Sequence, residues 1–181
     1  MDNHFFKNNG PFSLIDILKD LNLENIDKNL DHNIIDIKDL QNSKSNEITF
    51  FHSKKYKEIA NNTKASFCLT TKNLQNELAT NCMPIIVDNV LLSTSIVTSK
   101  FYPDAIKDDF DVTVDLINNT KFSDKVKFGR NVLIGKNVSI GSNCLIGHNT
   151  IIEKNVIIGN NCSIGSNTII RNTLIKNNIK I

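Results

Sequence analysis

From Phe128 to Ile170 a single register repeats every six positions, with an apolar residue opening each unit at 128, 134, 140, 146, 152, 158, 164 and 170. Glycine follows it at 129, 135, 141, 147, 159 and 165, with Glu153 and Arg171 breaking the column. Asparagine fills the fourth place at 131, 137, 143, 149, 155, 161 and 167. The fifth place holds Val132, Val138, Cys144, Thr150, Val156, Cys162 and Thr168, all small or β-branched.

A period of six matches neither the 3.6 of a helix nor the 2 of a strand. It fits a parallel β-helix, a coil of short flat faces joined by tight corners. Residues two apart on an extended segment share a face, so the leading aliphatic and the fifth-place residue are expected to point inward. Gly and Asn are expected at the corners because a left-handed backbone costs them least. Three units close one turn, so residues 18 apart stack. Cys144 and Cys162 are then neighbours in one internal column, read as small core residues rather than a disulfide or metal pair.

Upstream the pattern changes. Met1 to Gly10 is polar and expected to be loose, and Gly10-Pro11 punctuates it. Ser13 followed by Asp16 reads as a helix start, with an apolar stripe at 14, 15, 17, 18 and 21 that predicts a helix over 14–21. Strands are expected at Asn33 to Leu40 and Glu47 to Phe51, then a short basic helix from Lys54 to Ala60. Ala65 to Thr70 and Met83 to Val87 read as strands buried on both faces, each followed by a helical stretch, the second around Val90 to Phe101. The division expected is a loose start over 1–10, an α/β domain over 11–102, an acidic linker over 103–113 and a β-helix over 114–181, an α+β chain overall. Leu116 and Phe122 are in phase with Phe128, so the first coil is expected near Thr113. Asn172 stands one place early, a slip after which Ile175, Ile179 and Ile181 resume the inward pattern, and the β-helix is expected to stop in mid-coil with an open end.

The net charge of +2 is unevenly spread. From Asp111 onward nine Lys/Arg face four Asp/Glu, about +5, which leaves about −3 upstream. This reads as a solvated surface; the alternative is attraction of an acidic partner such as a nucleotide, an acyl carrier or coenzyme A. Four cysteines without a CxxC spacing, and the absence of a secretory leader, point to a reducing compartment, the cytoplasm. No apolar run approaches the roughly 20 residues of a membrane span.

The stretch Glu47-Ile48-Thr49-Phe50-Phe51-His52-Ser53-Lys54-Lys55-Tyr56, set before hexapeptide coils, resembles the uridine-binding segment of the UDP-3-O-(3-hydroxyacyl)glucosamine N-acyltransferases of lipid A biosynthesis. The resemblance implies that Phe50 and Tyr56 sandwich a uracil, with Ser53 and Lys55 beside it as further substrate-binding residues. Ser53-Lys54 stands where the family often has Asn-Pro. It also implies a left-handed β-helix, a homotrimer, and transfer of a 3-hydroxyacyl group from acyl carrier protein to the 2-amino group of UDP-3-O-acyl-glucosamine. No cofactor, no metal, no nucleic acid and no membrane span are expected.

The family's general base is a histidine on a later coil, in an Ala-His-Asn context. Ile146-Gly147-His148-Asn149 copies that pattern at the same place of its unit, but only in the fourth unit from Phe128. His148 is therefore either a base for the amine or an exposed corner residue, and the second is the expectation. Little or no acyl transfer is expected of the chain alone, since the family's base and oxyanion donor lie on coils past residue 181. His4, His32 and His52 show no partner pattern and are assigned no chemistry. Three functions stay open: a lipid A N-acyltransferase chain, a non-catalytic UDP-sugar-binding or trimerisation module, and a coenzyme A-dependent sugar-nucleotide acetyltransferase. The Phe50/Tyr56 segment favours the first two.

Overall fold

The structure is a computed structural model and describes residues 4–23, 32–117, 122 and 125–181. These divide into two compact units, centred on Phe6–Lys107 and Asp108–Ile181.

The first unit is built on a parallel sheet, β3 (Asp36–Ile37), β4 (Glu47–Phe51), β5 (Phe67–Thr70) and β6 (Met83–Ile86), in that order. Strand alternation sends Ile48, Phe67, Leu69 and Ile85 to one face, where they meet Leu14 and Ile17 of α1 (Leu14–Asp20) and Val90, Val97 and Phe101 of α3 (Val90–Phe101). Phe51 and Cys68 point the other way, onto Ala60 of α2 (Lys57–Asn61) and onto Leu74, Leu78 and Ala79. Helix α1 starts where Ser13 Oγ accepts the N–H of Ile15, and α3 where Asn89 Oδ1 accepts that of Leu92. A small antiparallel pair, β1 (Phe12–Ser13) with β2 (Asn33–Ile34), brackets α1 in the chain.

Several sequence expectations change here. The strand expected over 33–40 is two short ones, because β2 pairs with β1 while β3 joins the main sheet. β5 is buried throughout, but β6 is the sheet's edge and buries only Ile85. After β5 the chain makes a 3₁₀ turn at Gln75–Glu77 rather than a longer helix. The start expected to be loose is tied down, since Asn8 Nδ2 donates to Ile35 O and Asn9 N to Phe101 O; residues 1–3 lie outside the described ones.

The second unit is a left-handed parallel β-helix of two-residue strands: β8 (Lys127–Phe128), β9 (Leu133–Ile134), β10 (Ser139–Ile140), β11 (Leu145–Ile146), β12 (Ile151–Ile152), β13 (Ile157–Ile158), β14 (Ser163–Ile164), β15 (Ile169–Ile170) and β16 (Leu174–Ile175). Leading residues stack at a spacing of 18, Phe128 on Ile146 on Ile164 and Ile134 on Ile152 on Ile170. The slip at Asn172 shortens the next step to 17, Ile158 on Ile175, and Ile175 is buried as expected, whereas Ile179 and Ile181, also expected to point inward, are exposed. Cys144 and Cys162 are buried free thiols, stacked so that the N–H of Cys162 donates to Cys144 Sγ at 3.4 Å.

The corners separate the roles of Asn and Gly. Every fourth-place Asn from 131 to 167 has a positive φ, between 55° and 63°. Each of Asn131, Asn137, Asn143 and Asn149 also donates its amide to the Asn one coil on, at 3.2 Å. The same side chain thus tolerates the left-handed backbone and laces the stack. Glycine was expected to share that conformation, yet no described glycine has a positive φ. Its reason is close approach: a Cβ on Gly129 would lie 2.6 Å from His148 N and 2.8 Å from Gly147 C.

Third-place N–H groups need acceptors, and the next coil's third-place side chain supplies them where it can. Ser142 donates to Asn160 Oδ1 and Asn160 to Asn177 Oδ1, each at 2.8 Å. At the corner holding Lys136 and Lys154 the column is basic and offers no acceptor. There Thr113 Oγ1 accepts from Lys136 N and Asp111 Oδ2 from Lys154 N. The segment after Thr113 is not the parallel coil expected. β7 (Asp115–Leu116) runs antiparallel to β9 and sets Leu116 opposite the outward Leu133, so Leu116 is half exposed instead of internal. Phe122 does pack on the β-helix core.

Candidate nucleotide-binding site

β4 carries the first ring of the site. On a strand packed with Ile48 against the α1/α3 side, Phe50 falls on the same face and is only partly covered at the carboxyl end of the sheet. Crevices at that end of parallel strands are where open α/β sheets take ligands. His52 continues the face, two residues on. Ser53 then caps a 3₁₀ turn, Lys54–Tyr56, its Oγ accepting the N–H of Lys55, and the turn runs directly into α2. That tight reversal brings Tyr56 back toward Phe50.

The result is a pocket of about 260 Å³ lined by Asp39, Leu40, Gln41, Phe50, His52, Tyr56 and Ile59. Phe50 and His52 lie nearly parallel, with centroids 6.5 Å apart at 24°. His52 and Tyr56 are 5.7 Å apart at 50°. Most of the lining is apolar, and the polar groups are few. Burial works to raise the pKa of Asp39, but donation from Asn42, both side chain and backbone, and from the Gln41 backbone holds it below the ordinary carboxylate value. Its oxygens are thereby committed to the turn that shapes this wall. Two aromatic faces with a small set of fixed polar groups is the arrangement that holds a flat heterocycle by stacking.

Of the residues singled out from the sequence, Phe50 and Tyr56 line this pocket together. Ser53 and Lys55 do not line it. Ser53 shapes the turn, and Lys55 stands with Nζ 5.8 Å from the Tyr56 ring centre. Sequence reasoning passed over His52, Asp39, Leu40, Gln41 and Ile59. The i, i+2 spacing of Phe50 and His52 was a usable signal for the first; the others come from the turn after β3 and from α2, with no local mark.

His148 belongs to the second unit. It is an exposed corner residue whose Nδ1 accepts the N–H of Arg130 at 2.7 Å, while its own N–H donates to Ser166 Oγ at 3.0 Å. It fills the place in the corner ladder that Asn160 fills two units later. With Nδ1 accepting, a neutral ring carries its proton on Nε2 and has no free lone pair for a substrate amine. Among the described residues no group of three or more His, Cys, Asp or Glu is placed to hold a metal ion. No described helix is long and apolar enough to cross a membrane.

Comparison with known proteins places these features. The family described as UDP-3-O-(3-hydroxymyristoyl) glucosamine N-acyltransferase matches residues 31–99, and the bacterial transferase hexapeptide matches residues 137–172. UDP-3-O-acylglucosamine N-acyltransferases from Rickettsia prowazekii and Rickettsia akari are each 34% identical over 105 residues, and that of Rickettsia bellii 31%. Those matches cover 56% of this chain and 30% of each relative, so the chain spans under a third of the length of the curated relatives it matches. The segment Glu47 to Tyr56, on which the resemblance was read, lies inside the first of these matches, and the coils from 137 to 172 make up the second.

Proposed function

We propose that this chain binds the uridine of a UDP-sugar between Phe50 and Tyr56 and serves the N-acylation of UDP-3-O-acylglucosamine in lipid A synthesis, in the cytoplasm. The observation that carries the reading is the aromatic pocket at the carboxyl end of β4, lying within the stretch that matches the family. The names of the Rickettsia relatives supply the acceptor, UDP-3-O-acylglucosamine. The donor on this reading is 3-hydroxyacyl carrier protein, and the assembly a homotrimer formed through the β-helix.

In that reaction the 2-amino nitrogen attacks the thioester carbonyl. The new bond is C–N, the bond lost is C–S, and the amine's proton must pass to a base as the thiol leaves. The chain's contribution on this reading is to fix the nucleotide end of the acceptor. On this reading His148 serves as a corner residue rather than as that base, an assignment supported by its Nδ1 accepting the N–H of Arg130. The same observation favours a second reading, in which the chain is a UDP-sugar-binding and trimerisation module without acyl transfer of its own.

Equilibrium dialysis of the full chain against labelled UDP-GlcNAc, competed with UMP and separately with GlcNAc-1-phosphate, tests the binding claim. Displacement by UMP alone is the expected result. Displacement by GlcNAc-1-phosphate alone would put recognition on the sugar and remove the uridine site.

A further inference from the structure

We infer that His52 is a third nucleotide-binding residue, its ring edge donating to the nucleotide beside the two aromatic walls. The inference rests on the uridine reading of the same pocket and adds to it a residue.

The geometry is the starting point. His52 has ring contacts on both sides, Phe50 at 6.5 Å and Tyr56 at 5.7 Å, so it stands in the row that joins the two aromatic walls. A flat base held by Phe50 and Tyr56 therefore meets the imidazole as well.

Chemistry adds a second strand. Among the described residues neither ring nitrogen of His52 has a hydrogen-bond partner in the protein. The contrast with His148, whose Nδ1 is bound to a backbone N–H, is direct. The imidazole edge is free to donate to a carbonyl of the base or to a phosphate oxygen. Asp39 faces the pocket from the segment after β3 but is committed to the N–H groups of Gln41 and Asn42. Tyr56 and Lys55 come from the turn after β4, with Lys55 drawn over the Tyr56 ring, and α2 contributes only Ile59 to the lining. Gln41 is neutral. The fixed anion at the pocket is thus Asp39, which opposes a diphosphate, so His52 acts through its hydrogen-bonding edge and its ring face.

The test is calorimetric titration of the full chain with UDP-GlcNAc at a single pH. His52→Ala is expected to bind about tenfold more weakly than wild type. His52→Phe is expected to keep a stacking ring and lose the hydrogen bond, and so to bind between the two. Because His52 is exposed, far-UV circular dichroism is expected to be unchanged in both. If His52→Ala binds as wild type does, the inference fails while the uridine site stands. If folded wild type does not bind UDP-GlcNAc, both fail together.

Discussion

Asp111 Oδ2 accepts the backbone N–H of Lys154 at 2.7 Å, while Asp111 Oδ1 accepts both the N–H and the hydroxyl of Thr113. One buried carboxylate thus closes a corner at which the hexapeptide column supplies only lysines. Replacing it with Ala leaves the Lys154 and Thr113 donors without their acceptor, and the expected loss is about 1 to 3 kcal/mol of stability in guanidinium unfolding. Unchanged stability would make the contact incidental.

The same carboxylate carries a pH prediction. Burial works to raise its pKa, but donation from Thr113 and Lys154 outweighs it and holds the value below the ordinary one. A depressed folded pKa means the contribution is complete above the unfolded value, near 3.9, and fades as pH falls through the folded one. Unfolding midpoints followed from neutral pH to below the carboxylate range are therefore expected to drop less steeply in Asp111→Ala than in wild type. Parallel curves would contradict this.

Corner asparagines should separate backbone and side-chain effects. Asn149 has φ 55°, donates to Asn167 and accepts from Asn131. Asn149→Ala pays for an L-residue in the left-handed region, about 1 to 2 kcal/mol, and also loses the ladder. Asn149→Gly is expected to recover the backbone part alone, so its melting temperature should fall between those of Asn149→Ala and wild type. Equal melting of the two variants would mean that the backbone conformation costs nothing there.

The hexapeptide register made the β-helix legible because burial, left-handed corners and close coil contacts each act on a different column of the same repeat. Helix α1 was legible from its cap at Ser13 and its apolar stripe, and α3 as a helical stretch following the strand expected over Met83 to Val87. What stayed hidden depends on partners distant in sequence. Leu116 kept the phase of the repeat, but antiparallel pairing with β9 turned it outward, and periodicity does not encode strand direction. β6 looked like an interior strand because its edge position is set by sheet order. At the site, Phe50 and Tyr56 were readable from a local segment, whereas Asp39 and Gln41 arrive from the turn after β3 and Ile59 from α2.

His148→Ala tests the corner reading in a different currency. Loss of the acceptor for Arg130 N is expected to cost about 0.5 to 1.5 kcal/mol of stability. In an assay supplying 3-hydroxyacyl carrier protein and the UDP-glucosamine acceptor, any turnover is expected to be the same in variant and wild type. Turnover abolished in a folded variant would make His148 the base.

The uridine site itself is tested most directly by titrating UDP-GlcNAc into wild type, Phe50→Ala and Tyr56→Ala, with the fold of each checked by circular dichroism. Stacking by the two rings predicts that each variant stays folded and binds about 1 to 3 kcal/mol more weakly than wild type. Equal affinity in all three folded proteins would contradict the assignment of this pocket to the nucleotide.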